Sequence, residues 1–357
     1  MTQPAVVFGG PSDEHDISVL TGLQVARALD DVLAIYWSKA GEWYLVDRDL
    51  EASEFAAGVP TKARELSFQA SPGQGLVLKR RPLAISAILL ACHGGPGEDG
   101  TLQGLFDIVG YRYTGPGQAS SALGMDKLAF GAAMSAAGIP TLPRTLVATG
   151  DEEAPAFDGP FIVKPRFGGS SIGIEVADDW STVLALNESS AYFDQGAVVE
   201  PFVVSRDLQV AIRTYPEWQI SAVEAPARAD DGIYSYDQKY LAWGGEVSGG
   251  SQLPASLDDV TMKGVRGLAR RVTEVAGLRG VARIDFLDRE GDLAVNEVNT
   301  IPGSMAAYLW IDPLISRKQL FEDMLSEAQS SRTRVFSVAG SDGTALRSAG
   351  TIASKLG

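Results

Sequence analysis

Cysteine is almost missing from this chain. Its 357 residues include one, Cys92. No internal disulfide can form, which fits a reducing compartment such as the cytoplasm. Cys92 ends an apolar run from Ala84 and reads as a buried strand residue. Basic charge is also scarce, with 30 Lys and Arg against 45 Asp and Glu and a net charge of −15. Phosphate backbones and anionic membrane surfaces bind basic proteins, so neither nucleic acid nor membrane is an expected partner. Long apolar runs are absent: the longest reach about nine residues, too few to span a bilayer. The N-terminal MTQPAVVFGG lacks a basic segment followed by a long apolar one, so no signal peptide is expected. There is no internal repeat and no low-complexity tract. What remains is ordinary for a soluble globular protein, with 45% apolar and 21% charged residues. A chain of this length exceeds one compact core and suggests two to three domains.

The opening segment reads strand, glycine turn, helix, with Ala5 to Phe8 followed by a helical apolar pattern from Ile17 to Leu29. Such a unit starts an α/β domain. Further strands are expected at Leu33–Trp37, Trp43–Val46, Ser86–Cys92 and Tyr111–Thr114, with a helix at Thr101–Val109. This first domain is expected to close near Gly117. One helix is expected over Ser120–Ala137. Strands follow at Phe161–Lys164, Ile174–Val176, Val198–Val204 and Leu208–Thr214. Pro201 inside the third marks an edge or an interruption. A polar stretch near 227–250 has the length of a functional cover. Val260–Ala276 is an amphipathic helix and Val281–Asn299 a hairpin. In the tail, SDGTALRSAGTIASKLG reads as a helix capped by Ser341 or Asp342.

The first turn, FGGPSDEHDIS, poses a chemical problem. Its layout suits a phosphate, yet Asp13, Glu14 and Asp16 put carboxylates where an anion would sit. It also lacks the G-x-G-x-x-G spacing of a dinucleotide site. The hairpin VARIDFLDREGDLAVNEVNTIPG is more informative. Strand period two puts Arg283 with Asp285 on one face, and Glu297 with Asn299 on one face. Asp and Asn are poor strand formers, so this set needs a reason. Oxygen ligands of this kind suit Mg²⁺ completed by substrate phosphates. A solvated hairpin face is the competing reading. In FIVKPRFGGSSIG, Lys164 precedes a small-residue loop whose backbone N–H groups, with those of Ser170 and Ser171, can cradle phosphate. A plain hairpin turn reads equally well. Glu200 to Val203 could offer backbone groups to an adenine, with Asp207 placed for a ribose, though such a stretch is generic. Lys239 and Tyr240 in SYDQKY could close a lid, or be a surface charge beside a packed ring.

Taken in order, FGGPSDEHDIS, HGGPGEDGTLQG, GMDK, VKPRFGGSSIG, VVEPFV, DQKY and RIDF…NEVNTIPG resemble the D-alanine–D-alanine ligase family of the ATP-grasp superfamily. The resemblance covers about Val6 to Asp323. It implies a three-domain α/β (α+β) fold. A Rossmann-like N-terminal domain over 1–117 would bind the first amino acid. The central subdomain would be 118–203. The C-terminal subdomain, 204–330, would carry the metal hairpin and the lid, leaving a tail at 331–357. By motif position, Lys127 and Lys164 would contact ATP phosphates, with Ser170 and Ser171 in the same loop. Glu200, Phe202 and Val203 would form the adenine hinge, and Asp207 would meet the ribose. Lys239 and Arg283 would hold the γ-phosphate. Asp285, Glu297 and Asn299 would ligate two Mg²⁺ ions, with Mn²⁺ as a substitute. Glu14 would bind the ammonium of the first amino acid and link through Ser170 to Tyr240. That resolves the acidic turn: it would hold a cation. Arg283 and the Gly303 amide would face the developing oxyanion. His93, Ser304 and Tyr308 would line the substrate site. A homodimer is a further implication.

The implied reaction activates one D-alanine as an acyl phosphate and joins a second, as in peptidoglycan precursor synthesis. Departures from the family pattern are specific. Asp16 and Asp207 stand where Glu is usual. Tyr308 stands where many members carry a Ser that holds the second substrate's carboxylate. Tyr240 follows the amide-forming pattern rather than the ester-forming one. Two alternatives remain at this stage. One is the same chemistry on another amino acid or amine in specialised metabolism. The other is a nucleotide-binding regulator without catalysis, although its mark, missing phosphate or metal ligands, is not seen.

Overall fold

The computed structural model describes residues 2–148, 150, 153–227, 251–334 and 336–349. The expected lid with Lys239 and Tyr240 lies outside these residues, save for Ala227 at its edge.

The first layer is a seven-stranded sheet. Strand β1 (Gln3–Gly9) leads into helix α1 (His15–Ala28) and then β2 (Leu33–Trp37). Strands β3 (Trp43–Val46), β4 (Arg64–Gln69), β5 (Gly75–Leu78) and β6 (Arg81–Pro82) extend one side, and β7 (Ile85–Ala91) closes the other. The order is β6-β5-β4-β3-β2-β1-β7. Only the β1–β2 and β1–β7 pairs are parallel. Their residues Ala5–Phe8, Ala34–Tyr36 and Ala87–Ala91 are buried, as expected for parallel strands covered on both faces. Helices α2 (Gly95–Glu98) and α3 (Thr101–Val109) follow β7. Tyr111–Thr114 is not a full strand. Tyr113 makes an isolated parallel bridge to Ile88.

The expected helix over Ser120–Ala137 is two helices, α4 (Gln118–Met125) and α5 (Lys127–Ala136). The break is at Asp126, whose backbone is extended at ψ 99°. Its carboxylate accepts the N–H groups of Leu128 and Ala129, each at 3.1 Å. An N-cap inside an apparently continuous helical pattern restarts the helix. The restart aims Lys127 at the head of α5.

Two four-stranded antiparallel sheets complete the scaffold. The central one is formed by β8 (Thr145–Val147), β9 (Phe161–Pro165), β10 (Glu175–Ala177) and β11 (Ala197–Pro201), in the order β10-β9-β11-β8. Pro201 ends β11, so the interruption reading holds. Helix α6 (Trp180–Ser189) packs on this sheet. The third sheet contains β12 (Arg206–Arg213), β13 (Gln219–Glu224), β14 (Val281–Arg289) and β15 (Asp292–Asn299), ordered β13-β12-β14-β15. Helix α7 (Asp259–Val275) buries Val265, Ala269 and Val272 against it.

The chain then returns to the first layer. Ile301, Met305 and Trp310, with Leu320, Phe321, Met324 and Leu325 of helix α8 (Arg317–Ser330), join the core of β1, β2 and β7. The segment after Asn299 thus joins the first layer to the third sheet, whose Ala211 and Val281 belong to the same core. In the tail, α9 (Thr344–Ser348) has Gly343 at its N-cap position, one residue later than expected. Asp342 still accepts the Thr344 N–H at 2.8 Å. Among the described residues, no helix is long and apolar enough to cross a membrane.

Candidate active site

The metal hairpin has the register its alternation predicts. Arg283 pairs with Asn299 and Asp285 with Glu297. A bulge follows, because Phe286 pairs with Val295 and leaves Asn296 as the extra residue. That bulge was not legible in the sequence. It brings Asn296 Oδ1 to 3.3 Å from Lys164 Nζ on the facing sheet. Arg283 donates to both oxygens of Asp285, at 2.7 and 2.8 Å. Asn299 Nδ2 lies 3.3 Å from Asp285 Oδ2. Among the described residues, no group of three His, Cys, Asp or Glu side chains could hold a metal. The candidate set is two carboxylates and an amide, all hard oxygen donors. That short set fits Mg²⁺, which leaves places for water and phosphate oxygens.

Between the central and third sheets lies a cleft that opens to solvent. Lys127, Lys164 and Ser171 line it, as do Glu200, Phe202 and Val203 of the expected hinge. Asp207, Asp285 and Glu297 line it from the third sheet. Lys164 Nζ donates to Glu200 Oε2 at 2.7 Å, and Lys127 Nζ donates to the Gly168 carbonyl at 2.5 Å. Burial pulls the Lys127 ammonium below its ordinary range, with Glu297 opposing. Burial alone would raise the Glu200 carboxyl, but Lys164 and Arg144 together hold it below its ordinary value. Glu200 therefore stays anionic and keeps Lys164 in place.

The expected amino-acid site adjoins this cleft, at a smaller pocket lined by Glu14, Glu98, Lys127, Glu297 and Asn299. Glu14 is buried at the start of α1, and the Ser170 hydroxyl donates to its Oε1. Ser170 and Ser171 have φ of +54° and +59°, a left-handed bend that turns their loop onto Glu14. Gly94 has φ +63°, and a Cβ there would lie 2.5 Å from Glu14 Oε2. Only glycine leaves room for that carboxylate.

Both ring nitrogens of His93 are engaged within the protein. Nδ1 lies 2.7 Å from the Ile301 carbonyl and Nε2 lies 2.8 Å from the Thr21 hydroxyl. A carbonyl only accepts, so Nδ1 carries the proton and Nε2 accepts from Thr21. Burial lowers the imidazole to about 4, so it is neutral near pH 7. Thr21 Oγ1 also accepts the Ser304 N–H at 3.2 Å. His93 thus positions the Gly303–Ser304 turn from behind. That turn has φ near +50° at Ser304, Met305 and Ala306, an uncommon conformation for three residues with side chains. Tyr308 follows and donates its hydroxyl to Glu224 Oε2 at 3.0 Å. Burial and the Glu224 charge raise the Tyr308 phenol, so it stays protonated.

Three residues escaped the sequence reading. Glu98, within HGGPGEDG, accepts from the N–H groups of Gly94 and Ile301 at 2.9 and 2.8 Å. Burial and the nearby Glu14 push its carboxyl up to about 7. Its place in a quoted motif was the available signal. Arg144 and Asn296 gave none, because a buried arginine and a strand bulge have no spacing signature.

Comparisons with known proteins agree with this geometry. The D-ala D-ala ligase N-terminus family matches residues 3–116, and the D-ala D-ala ligase C-terminus family matches residues 134–326. A D-alanine–D-alanine ligase from Mycobacterium sp. (strain KMS) is 32% identical, with 92% of this chain and 96% of that protein covered. One from Nocardia farcinica is 33% identical, covering 86% and 91%. The structure of a D-Ala:D-Ser ligase from Enterococcus faecalis matches with a TM-score of 0.78 and 25% identity, over 92% and 99% of the two chains. The fold also matches a Coxiella burnetii D-alanine–D-alanine ligase structure, with a TM-score of 0.76, 22% identity and coverage of 98% and 97%. With both halves of the family pattern matched across this chain and a metal hairpin facing a lysine-lined cleft, the protein belongs to the D-alanine–D-alanine ligase family.

Proposed function

We propose that the chain is an ATP-dependent ligase that joins two D-alanines through an acyl phosphate. The carrying observation is the pairing of Arg283 and Asp285 with Asn299 and Glu297, opposite Lys127 and Lys164 across one cleft. ATP would lie in that cleft with its adenine at Phe202 and Val203, its ribose at Asp207, and its phosphates between the lysines and the hairpin. Asp285, Glu297 and Asn299 would hold two Mg²⁺ ions, which when bound neutralise phosphate charge; Mn²⁺ would substitute.

Glu14 would receive the ammonium of the first amino acid, and the carboxylate of that amino acid would attack the γ-phosphorus, forming the acyl phosphate and releasing ADP. The amine of the second amino acid would then attack the acyl carbon, lose a proton and expel phosphate. Arg283 and the Gly303 N–H would stabilise the charge that develops on the carbonyl oxygen. No side-chain nucleophile is required, and Cys92 is buried. The work is positioning and charge neutralisation. Lys239 and Tyr240 would complete the site as its lid. We place the enzyme in the cytoplasm, in peptidoglycan precursor synthesis, as a homodimer.

A second reading keeps the chemistry and changes the acceptor. It is supported by Tyr308, whose hydroxyl is engaged by Glu224 at the acceptor end. Phosphate release from Mg·ATP with a panel of D- and L-amino acids, with products weighed by mass spectrometry, tests both. Turnover with D-alanine alone and formation of its dipeptide is the expected result. Turnover only with a mixed pair would favour the second reading, and no phosphate release with any pair would overturn both.

A further inference from the structure

We infer that Arg144 is a positioning residue for nucleotide binding, an assignment that rests on the ATP reading of the cleft. It precedes β8, and its side chain is 4% exposed. Its Nε lies 2.7 Å from Glu200 Oε1, an ion pair whose N–H is angled off the line between the atoms. Its Nη1 donates to the Lys127 carbonyl, and its Nη2 donates to the Asn296 carbonyl at 2.5 Å. One guanidinium therefore touches β11 of the central sheet, the first turn of α5, and the bulge of β15. The other oxygen of Glu200 holds Lys164.

The consequence is geometric. Lys127 and Lys164 sit on different elements whose backbones are already tied by the Lys127 N–H to the Arg166 carbonyl at 3.1 Å and by the Arg166–Asp126 ion pair; Arg144 adds a tie that reaches the Lys164 ammonium itself. Arg144 holds the backbone of the first and, through Glu200, the ammonium of the second. A planar fork can serve three acceptors at once, and an ammonium on a flexible stem cannot hold them in one plane. Arg144 also offsets charge. Without it, Glu200 faces Lys164 alone, and the Asn296 carbonyl in the bulge loses its guanidinium donor. Gly131 on α5 makes room for this arrangement: a Cβ there would lie 2.6 Å from Arg144 Cδ.

The test measures binding of a non-hydrolysable ATP analogue with Mg²⁺ by calorimetry on the full chain, beside steady-state KM values for ATP and D-alanine. Arg144→Met should weaken analogue binding by about tenfold or more, the scale of losing one to two charge-assisted bonds. Its KM for D-alanine should rise clearly less, because Lys127 is the one partner of Arg144 that also lines the smaller pocket and Arg144 holds only its backbone carbonyl. Arg144→Lys should fall between, keeping charge opposite Glu200 but not both carbonyl bonds. Gly131→Ala keeps the arginine at position 144 but pushes its side chain aside sterically. It should weaken analogue binding while helix propensity favours the fold. Should Arg144→Met fail to fold, Gly131→Ala carries the decision. Unchanged analogue affinity in either folded variant, or equal rises in both KM values, would overturn the inference. Failure of the wild-type chain to bind the analogue would instead remove the ATP reading on which it rests.

Discussion

The proposed nucleotide end and the proposed amino-acid end of this site are held in different ways. At the nucleotide end, fixed charges oppose one another at close range. Lys164 and Arg144 flank Glu200, both at 2.7 Å, with all three side chains largely buried. At the amino-acid end, the supports are neutral or close to a protonation change. His93 is neutral, the Tyr308 phenol stays protonated, and Glu98 sits at about 7. The lesson concerns pH and salt. Buried pairs in the first region should hide from both, whereas the second region should respond to pH near neutrality.

Four changes break or sharpen this contrast, from large to small. Removing a hairpin carboxylate strikes where both ends meet. Asp285→Ala should lower kcat by about 10³-fold, the scale of losing one preorganised charge-stabilising group. Single-turnover phosphate release would check it, and near-normal turnover would exclude Asp285 as a ligand. Next, Glu14→Ala should affect the amino-acid end alone. KM for the first amino acid should rise about 10- to 100-fold, with KM for ATP unchanged. A rise in both would mean that the Ser170 loop couples the two ends.

Glu98 offers the clearest pH signature. Its carboxyl moves from 4.5 in the unfolded chain to about 7 in the folded one. Between those values the folded state binds more protons, so unfolding free energy falls as pH rises through that window. The span corresponds to about 3 kcal/mol. Glu98→Gln should flatten this part of the curve whatever its absolute level, because an amide does not titrate. Denaturant midpoints at pH 5 and pH 8 provide the measurement. A wild-type curve without that slope would mean that the carboxyl ionises freely. The smallest effect is Tyr308→Phe, which removes only the bond to Glu224. About fivefold in KM for the second substrate is expected, near 1 kcal/mol. An altered KM for the first substrate would place Tyr308 elsewhere in the cycle.

The sequence carried some of this and not the rest, for identifiable reasons. Alternation in 283–299 is local and period-two, so the Arg283/Asp285 and Glu297/Asn299 faces could be read directly. No local pattern marks the extrusion of Asn296, because a bulge depends on the partner strand. The Asp126 break was hidden by a continuous Ala- and Leu-rich pattern, although Asp before Lys was a capping signal available to be read. Strands β4 to β6 and β8 are short or largely exposed and their alternation is weak, whereas β13 is buried on both faces and shows no alternation. His93 was placed by its motif, but its role depended on Thr21 and Ile301, which arrive from distant parts of the chain. Arg144 shows the limit most plainly. Its three partners lie on three elements, and no window of sequence contains them together.

The return of α8 to the first core has a consequence for how the molecule is made. As the chain emerges from the ribosome, β1, α1, β2 and β7 appear early, but the side chains that finish their core come after both later sheets. Until Leu320, Phe321, Met324 and Leu325 arrive, that apolar face has no cover. Nascent chains in this state are prone to association and to capture by chaperones. The first layer to be synthesised is thus among the last to be sealed, and a fragment ending at Asn299 should be recovered as aggregate rather than as a folded domain.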